Sequence, residues 1–246
     1  MKIDIVTSTS KKNYDRYAKS NYEGWSQKWE DTDDIITNFY IFSEDNFEID
    51  LDSRFKILNL FDKVPECKNF IEKNKDKKFN SSTDLKAYKT DFLKFCYKVY
   101  TLCYAVKVSD ADFVIWLDSD IRVRMKKINS KVFHKGYNKK LLSYLNRENC
   151  KKTEVYNKLS SETGIIVVNN QHELKNNFFN FYQNIYDSHF IFNLAEVHDA
   201  YVFDYCISTF ESKGLDIFQK LSNGTLENPI KRVFPKAFNH DMGSKK

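Results

Sequence analysis

Two aspartates one residue apart, Asp118 and Asp120, follow directly on an unbroken apolar run from Phe113 to Leu117 in the stretch FVIWLDSDIRV (113–123). In an extended chain, residues i and i+2 point to the same side, so the two carboxylates can converge on one point. Held together there, they repel each other unless a cation lies between them. Oxygen donors of this kind favour Mg²⁺ or Mn²⁺, ions that keep open positions for substrate phosphates. The pair therefore predicts a divalent-cation site at the end of a buried strand. Taken alone, it also reads as an acidic surface turn.

The elements that would carry the pair alternate between strands and helices. KIDIVTST (2–9), NFYIFSED (38–45) and RFKILNL (54–60) read as strands, DFVIWLD as a central parallel strand covered on both faces, and ETGIIVVNN (162–170) as another. The polar, aromatic segment 11–31 predicts a helix broken near Gly24. From Ser81 to about Val108 the residues Leu85, Tyr88, Phe92, Cys96, Val99, Cys103 and Val106 recur at spacings of three and four, one face of a long amphipathic helix. Residues 121–158 read as basic and irregular, 173–188 as a helix, and 196–214 as a helix with Gly214 at its C′ position. The tail from Leu215 holds a weak strand. This order predicts a single α/β domain with a mostly parallel sheet flanked by helices.

Bulk composition narrows the function classes. The 246 residues are 41% hydrophobic and 16% aromatic, enough for a sizeable core. A net charge of +5 is spread thinly. Its basic residues form only short clusters such as RVRMKK (122–127), which argues against a nucleic-acid partner and suits a phosphate-bearing small ligand or an anionic membrane surface without demanding either. Six glycines, none grouped, leave no Walker A loop and no GxGxxG fingerprint. Five cysteines without a CxxC pair point to reduced thiols rather than a zinc site or a disulfide framework. The start has no signal-peptide pattern, and no run approaches the roughly 18 apolar residues of a membrane span. The expected location is cytoplasmic, or a host cytoplasm for a virally encoded chain.

WLDSD after an amphipathic helix resembles the DxD signature of sugar-nucleotide-dependent glycosyltransferases with one Rossmann-like, GT-A-like domain. The other segments look like the family of glycogenin and the bacterial lipopolysaccharide galactosyltransferases. ETGIIVVN (162–169) is similar to that family's NAGVLLIN strand and keeps Gly164 and Asn169. EVHD (196–199) stands where the family has a QDQD-type segment opening a helix. HDMGSKK (240–246) fits HxxGxxK with His240, Gly243 and Lys246. The order matches from the first strand to the last residue, and sugar transferases of large DNA viruses and phages look similar too.

The resemblance implies a metal-dependent transferase moving a sugar from a nucleoside-diphosphate sugar, a UDP-sugar first, to a glycan or other hydroxyl acceptor. It implies a donor-nucleotide half over about 1–125 and an acceptor half over about 126–246. Asp118 and Asp120 would hold Mn²⁺ or Mg²⁺ on the diphosphate, with His240 as nitrogen ligand. Gly243 would allow close backbone approach to a phosphate, and Lys246 would supply positive charge. Thr7 and Ser8 would meet the nucleoside. Asp91, Lys94 and Lys98 share one helix border, with Lys98 the preferred basic residue against the donor; Asp91 and Ser119 join the donor contacts. Glu162, His198 and Asp199 are the candidates for catalysis and for sugar and acceptor contact, although the family has Asn and Gln where Glu162 and His198 stand. Retention of configuration is implied, whereas Asp199 acting as general base would invert. Two rival readings stand beside this one. The first is a haloacid-dehalogenase-type phosphatase using the Asp118/Asp120 pair, and the second a non-catalytic carbohydrate-binding protein with aromatic stacking faces.

Overall fold

The first strand, β1 (Lys2–Thr9), pairs in parallel with β2 (Ile36–Ser43) on one side and with β4 (Phe113–Leu117) on the other. In the computed structural model, which describes residues 1–79, 90–146, 161–222 and 229–240, these belong to a seven-stranded sheet. Its order is β3-β2-β1-β4-β7-β6-β8. The remaining members are β3 (Phe55–Asn59), β6 (Leu142–Asn146), β7 (Ser161–Asn169) and β8 (Phe218–Lys220). The pairs β2–β3 and β6–β8 are also parallel, whereas β7 runs antiparallel to both β4 and β6. The sheet is thus mixed and mostly parallel, and both halves of the chain share it. The expectation for the central strand needs one correction: β4 is parallel to β1 alone. Because β7 runs back against it, with Leu117 opposite Ile165, the start of β7 lies beside the end of β4. That places residues 162–164 next to Asp118.

Both faces of β4 are covered, which is why its sequence is continuously apolar rather than alternating. Val114 and Trp116 belong to one core, with the short α3 (Leu60–Lys63), α4 (Pro65–Asn74), α5 (Phe92–Val108), α6 (Lys175–Asp187) and α7 (Asp199–Glu211) packed over it. Ile115 and Leu117 belong to the other, under α2 (Lys19–Lys28), a 3₁₀ segment Ser130–Gly136 and α8 (Pro229–Val233). Each of these side chains is at most 2% exposed, a burial that stabilises by about 2 kcal/mol for a residue of this size.

Several expected boundaries move. The segment after β1 forms a short α1 (Lys11–Asn13), a π turn (Tyr14–Ala18) and then α2, which passes through Gly24 without a break. The cost of one helical glycine, about 1 kcal/mol, is outweighed by the fully buried Tyr22 and Trp25 beside it. The long helix begins at Phe92 rather than near Ser81: Asp91 is its non-helical N-cap and accepts from the Lys94 N–H; Leu85 and Tyr88 lie outside the described residues. The 196–214 helix is shorter than expected: α7 begins at Asp199, and Gly214 takes a left-handed φ of +77° beyond its end. The 121–158 stretch contains β5 (Ile121–Val123) and the buried β6, and the tail contains β9 (Phe238–His240), which pairs with β5. Cys67, Cys96, Cys103 and Cys206 are buried free thiols; Cys150 lies outside the described residues. No helix among the described residues is long and apolar enough to cross a membrane.

Candidate active site

Where β4 ends, the chain turns through Asp118, Ser119 and Asp120 into β5. Helix α2 pins this turn from behind. The Asn21 amide donates to the Ser119 carbonyl at 3.0 Å, and the Trp25 indole N–H donates to the Ile121 carbonyl at 2.9 Å. Strand β9 runs antiparallel to β5 with His240 opposite Ile121. That register brings the imidazole back across more than a hundred residues of sequence. His240 Nε2 lies 3.1 Å from Asp120 Oδ1, and its Nδ1 lies 3.9 Å from Glu162 Oε1. Asp118, Asp120 and His240 each offer a ligand atom, and these atoms all lie within 4.8 Å of one another. Two hard carboxylate oxygens and one imidazole nitrogen form a donor set that Mn²⁺ or Mg²⁺ accepts, so these residues fit such an ion.

The electrostatics point the same way. Burial pushes the Asp118 carboxyl above its ordinary range; the Lys98 ammonium opposes that, and Asp120 adds to it. Burial would lower His240, but Asp120 and then Asp118 more than offset it and hold the ring above its usual 6.5. The cluster attracts positive charge. Gly164 lets β7 close on it: a Cβ there would come within 3.2 Å of Glu162 Oε1 and of Ile230 Cδ1, and within 3.4 Å of Asp118 Oδ2.

Beside this cluster sits a second, centred on a buried ammonium. Lys98, in the middle of α5 and only 8% exposed, directs its Nζ at Asp199 Oδ2 (2.7 Å), Asp118 Oδ1 (2.9 Å), and the carbonyl and hydroxyl of Thr163 (3.0 and 3.1 Å). The ammonium has three hydrogens, and protein acceptors take all of them. Burial alone would lower its pKa, but Asp118 and Asp199 outweigh burial and raise it. Asp199 also accepts from the Thr163 hydroxyl at 2.6 Å. Burial would raise the Asp199 carboxyl, yet Lys98 and Thr163 hold it well below the ordinary range. The Trp116 indole donates to Asp118 Oδ1 at 2.6 Å, fixing that carboxylate from the strand side.

A cleft of about 770 Å³ opens along the C-terminal ends of β2, β1 and β4. Among its walls are Ser8, Tyr17, Glu44, Lys98, Asp118 and Asp120. Asp91, Ser119 and Asp199 also face it. Thr7 is fully buried and is not part of the wall, as strand alternation requires once Ser8 faces the cleft. Glu162 and His198 are buried behind the wall. His198 caps α7: its Nδ1 accepts from the Tyr201 N–H, which leaves the ring hydrogen on Nε2, 2.7 Å from Glu196 Oε2. Gly243 and Lys246 lie outside the described residues.

The cleft and cluster residues that escaped the sequence reading include Thr163, Trp116, Tyr17 and Glu44. Only Glu44 left a legible signal, an acid placed immediately after the second strand, where an α/β sheet meets a nucleotide. Its Oε1 accepts from the Ser8 hydroxyl at 2.7 Å. Burial pushes its pKa up to about 7, with Ser8 opposing. Burial, and then the charge of Asp120, push the Tyr17 phenol up to about 12.

No protein-family model matches the sequence, and no curated protein matches it. Solved structures do. The chain is similar to mouse xyloside xylosyltransferase 1 in its apo form, with a TM-score of 0.52 at 12% identity over 89% of this chain and 85% of that one. It is similar to a glycosyltransferase involved in glycosylating the major capsid of PBCV-1, with a TM-score of 0.52 at 14% identity over 100% and 95%. It is also similar to an active-site mutant of LgtC, with a TM-score of 0.51 at 12% identity over 96% and 86%. The chain has a GT-A-like glycosyltransferase fold. Identity this low speaks for the GT-A-like architecture alone, so the roles of individual residues rest on the geometry above.

Proposed function

We propose that this chain transfers a sugar from a nucleoside-diphosphate sugar, a UDP-sugar first, to a hydroxyl group of a glycan or similar acceptor. The observation that carries the reading is the meeting of Asp118, Asp120 and His240 beside a cleft on the C-terminal edge of the sheet whose wall includes both aspartates. These three would hold Mn²⁺ or Mg²⁺, and the bound ion would neutralise charge on the departing diphosphate as a Lewis acid. The cleft volume falls within the usual range for small-molecule sites.

The chain's own residues supply position. Lys98 ties Asp118, just past β4, to Asp199 on α7, so the donor floor and the sugar-side wall keep a fixed spacing. Ser8, Asp91 and Ser119 provide polar contacts along the donor. Glu162, beside His240, and His198, at the head of α7, hold the acceptor side in place from behind. Asp199 has both its proton affinity and its Oδ2 committed to Lys98 and Thr163, which makes it a poor general base. That supports retention over inversion.

Incubation with a UDP-sugar tests the reading. Slow release of UDP is expected with Mn²⁺ and none after EDTA. Phosphate release from an aryl phosphate with no turnover of any nucleotide sugar would instead indicate a phosphatase, and neither activity a binding protein.

A further inference from the structure

The basic stretch RVRMKK (122–127) has no part in the site described above. It leaves β5 and, with the 3₁₀ segment and residues 233–237, surrounds a groove of about 480 Å³. The groove is held in place by the backbone. The Arg124 N–H donates to the Ala237 carbonyl and the Ile128 N–H to the Lys28 carbonyl, each at 2.8 Å. Its floor is apolar, made of Ile128, Val132, Val233 and Phe234, and Met125, 39% exposed, stands at its edge. Around the floor stand Lys127, Lys131, Lys135 and Lys236, all exposed, with Arg124 and Lys126 exposed beside them. Neither 121–147 nor 229–240 contains an Asp or Glu. Two acids reach the rim from elsewhere: Glu30 pairs with Lys127 at 2.6 Å and Asp34 with Lys131 at 3.0 Å. Among the described residues Lys126, Lys135 and Lys236 enter no ion pair, so the face keeps a positive excess.

An occupant that satisfies this face is apolar where it meets the floor and anionic where it meets the rim. Inorganic phosphate would use only the rim. A nucleic acid would find no stacking face, because the Phe234 ring is only 4% exposed. Five of the six basic side chains named here are lysines. Ammonium groups on flexible stems follow mobile headgroups, whereas carboxylates fixed on a protein partner suit the rigid fork of arginine. We propose that this groove docks the chain on an anionic phospholipid bilayer, with Met125 entering the acyl boundary and the lysines meeting the headgroups. The docking does not depend on the transferase reading. It lies close to that site all the same: the β5–β9 ribbon has Ile121 and His240 at one end and leads from Val123 and Phe238 into the groove.

The test sediments the chain with vesicles of phosphatidylcholine alone, or mixed equally with phosphatidylglycerol, at roughly 0.15 M salt, where long-range attraction is screened. Binding to the mixed vesicles and not to phosphatidylcholine is expected. Combined Lys126→Gln, Lys135→Gln and Lys236→Gln should weaken it about a hundredfold, at about fivefold per lysine. Combined Lys63→Gln, Lys73→Gln and Lys75→Gln, on the face of the opposite core, should weaken it less than about threefold, being beyond a Debye length from the docked surface. Met125→Trp should be quenched by brominated lipid beyond the wild-type level. Thermal unfolding confirms that each variant is folded. No binding to the mixed vesicles, equal losses from the two lysine sets, or an unquenched Met125→Trp overturns the proposal. Polyglutamate or polyuridylate bound as tightly as the vesicles, and lost with the first lysine set, also overturns it and makes the groove a protein or RNA surface.

Discussion

The two ends of the cleft are built on different terms. At the inner end, Lys98, Asp118, Asp199 and Thr163 satisfy one another inside the protein, with Trp116 bracing the same carboxylate. At the outer end a half-buried Glu44 accepts a hydrogen bond from the Ser8 hydroxyl and lines the open cleft. The inner end is arranged before any ligand arrives, so charge developing there meets fixed groups without reorganisation. The outer end is left with capacity to spare, which suits selection of a ligand rather than chemistry upon it.

Removing the central cation is the strongest way to break this contrast. Lys98→Met would leave the half-buried Asp118 and Asp199 without their shared partner, a loss of about 2–4 kcal/mol, somewhat below that for a fully buried pair. Urea denaturation measures it, and a loss under about 1 kcal/mol would mean that the inner end is not held by its ion pairs.

The outer end should respond to pH instead. The Glu44 carboxyl, ordinarily near 4.5, is pushed up to about 7 by burial, with Ser8 and Lys94 opposing and Asp45 assisting. Between those values the folded protein keeps a proton that the unfolded chain releases, so the Glu44 contribution is complete below about pH 4.5 and is lost as pH rises through 7. Relative to Glu44→Gln, the wild type should therefore lose melting temperature steadily between pH 4.5 and 7 and stay level above that window. A difference between the two that stays flat across the window would place Glu44 in a solvated setting.

How much of this was legible beforehand depended on the length of each element. The apolar run of β4, the acids behind it and the Gly164 strand stood out because long, buried segments have strong patterns. His240 could be placed beside Asp120 only by a family resemblance. The pairing that brings them together, β5 with β9, is three residues long on each side and leaves no periodicity to read. Lys98 was visible as a polar border on a helix, but its partner Thr163 depends on β7 running antiparallel, which no local pattern announces. The buried strand LSYLN (142–146) was missed because serine and asparagine are poor strand formers; tertiary burial overrode local preference there. The alternation rule was available for Thr7 and Ser8 and would have separated them, since neighbours in a strand cannot share a face.

The proposed transfer requires a divalent cation held between Asp118, Asp120 and His240. Calorimetric titration of UDP in the presence and absence of Mn²⁺ tests this most directly, using the wild-type chain, Asp120→Ala and His240→Ala. Mn²⁺ should tighten UDP binding by the wild type at least about tenfold, a modest expectation for a directly ligated ion, and should do nothing for either folded variant. Undiminished tightening in Asp120→Ala would contradict the assignment.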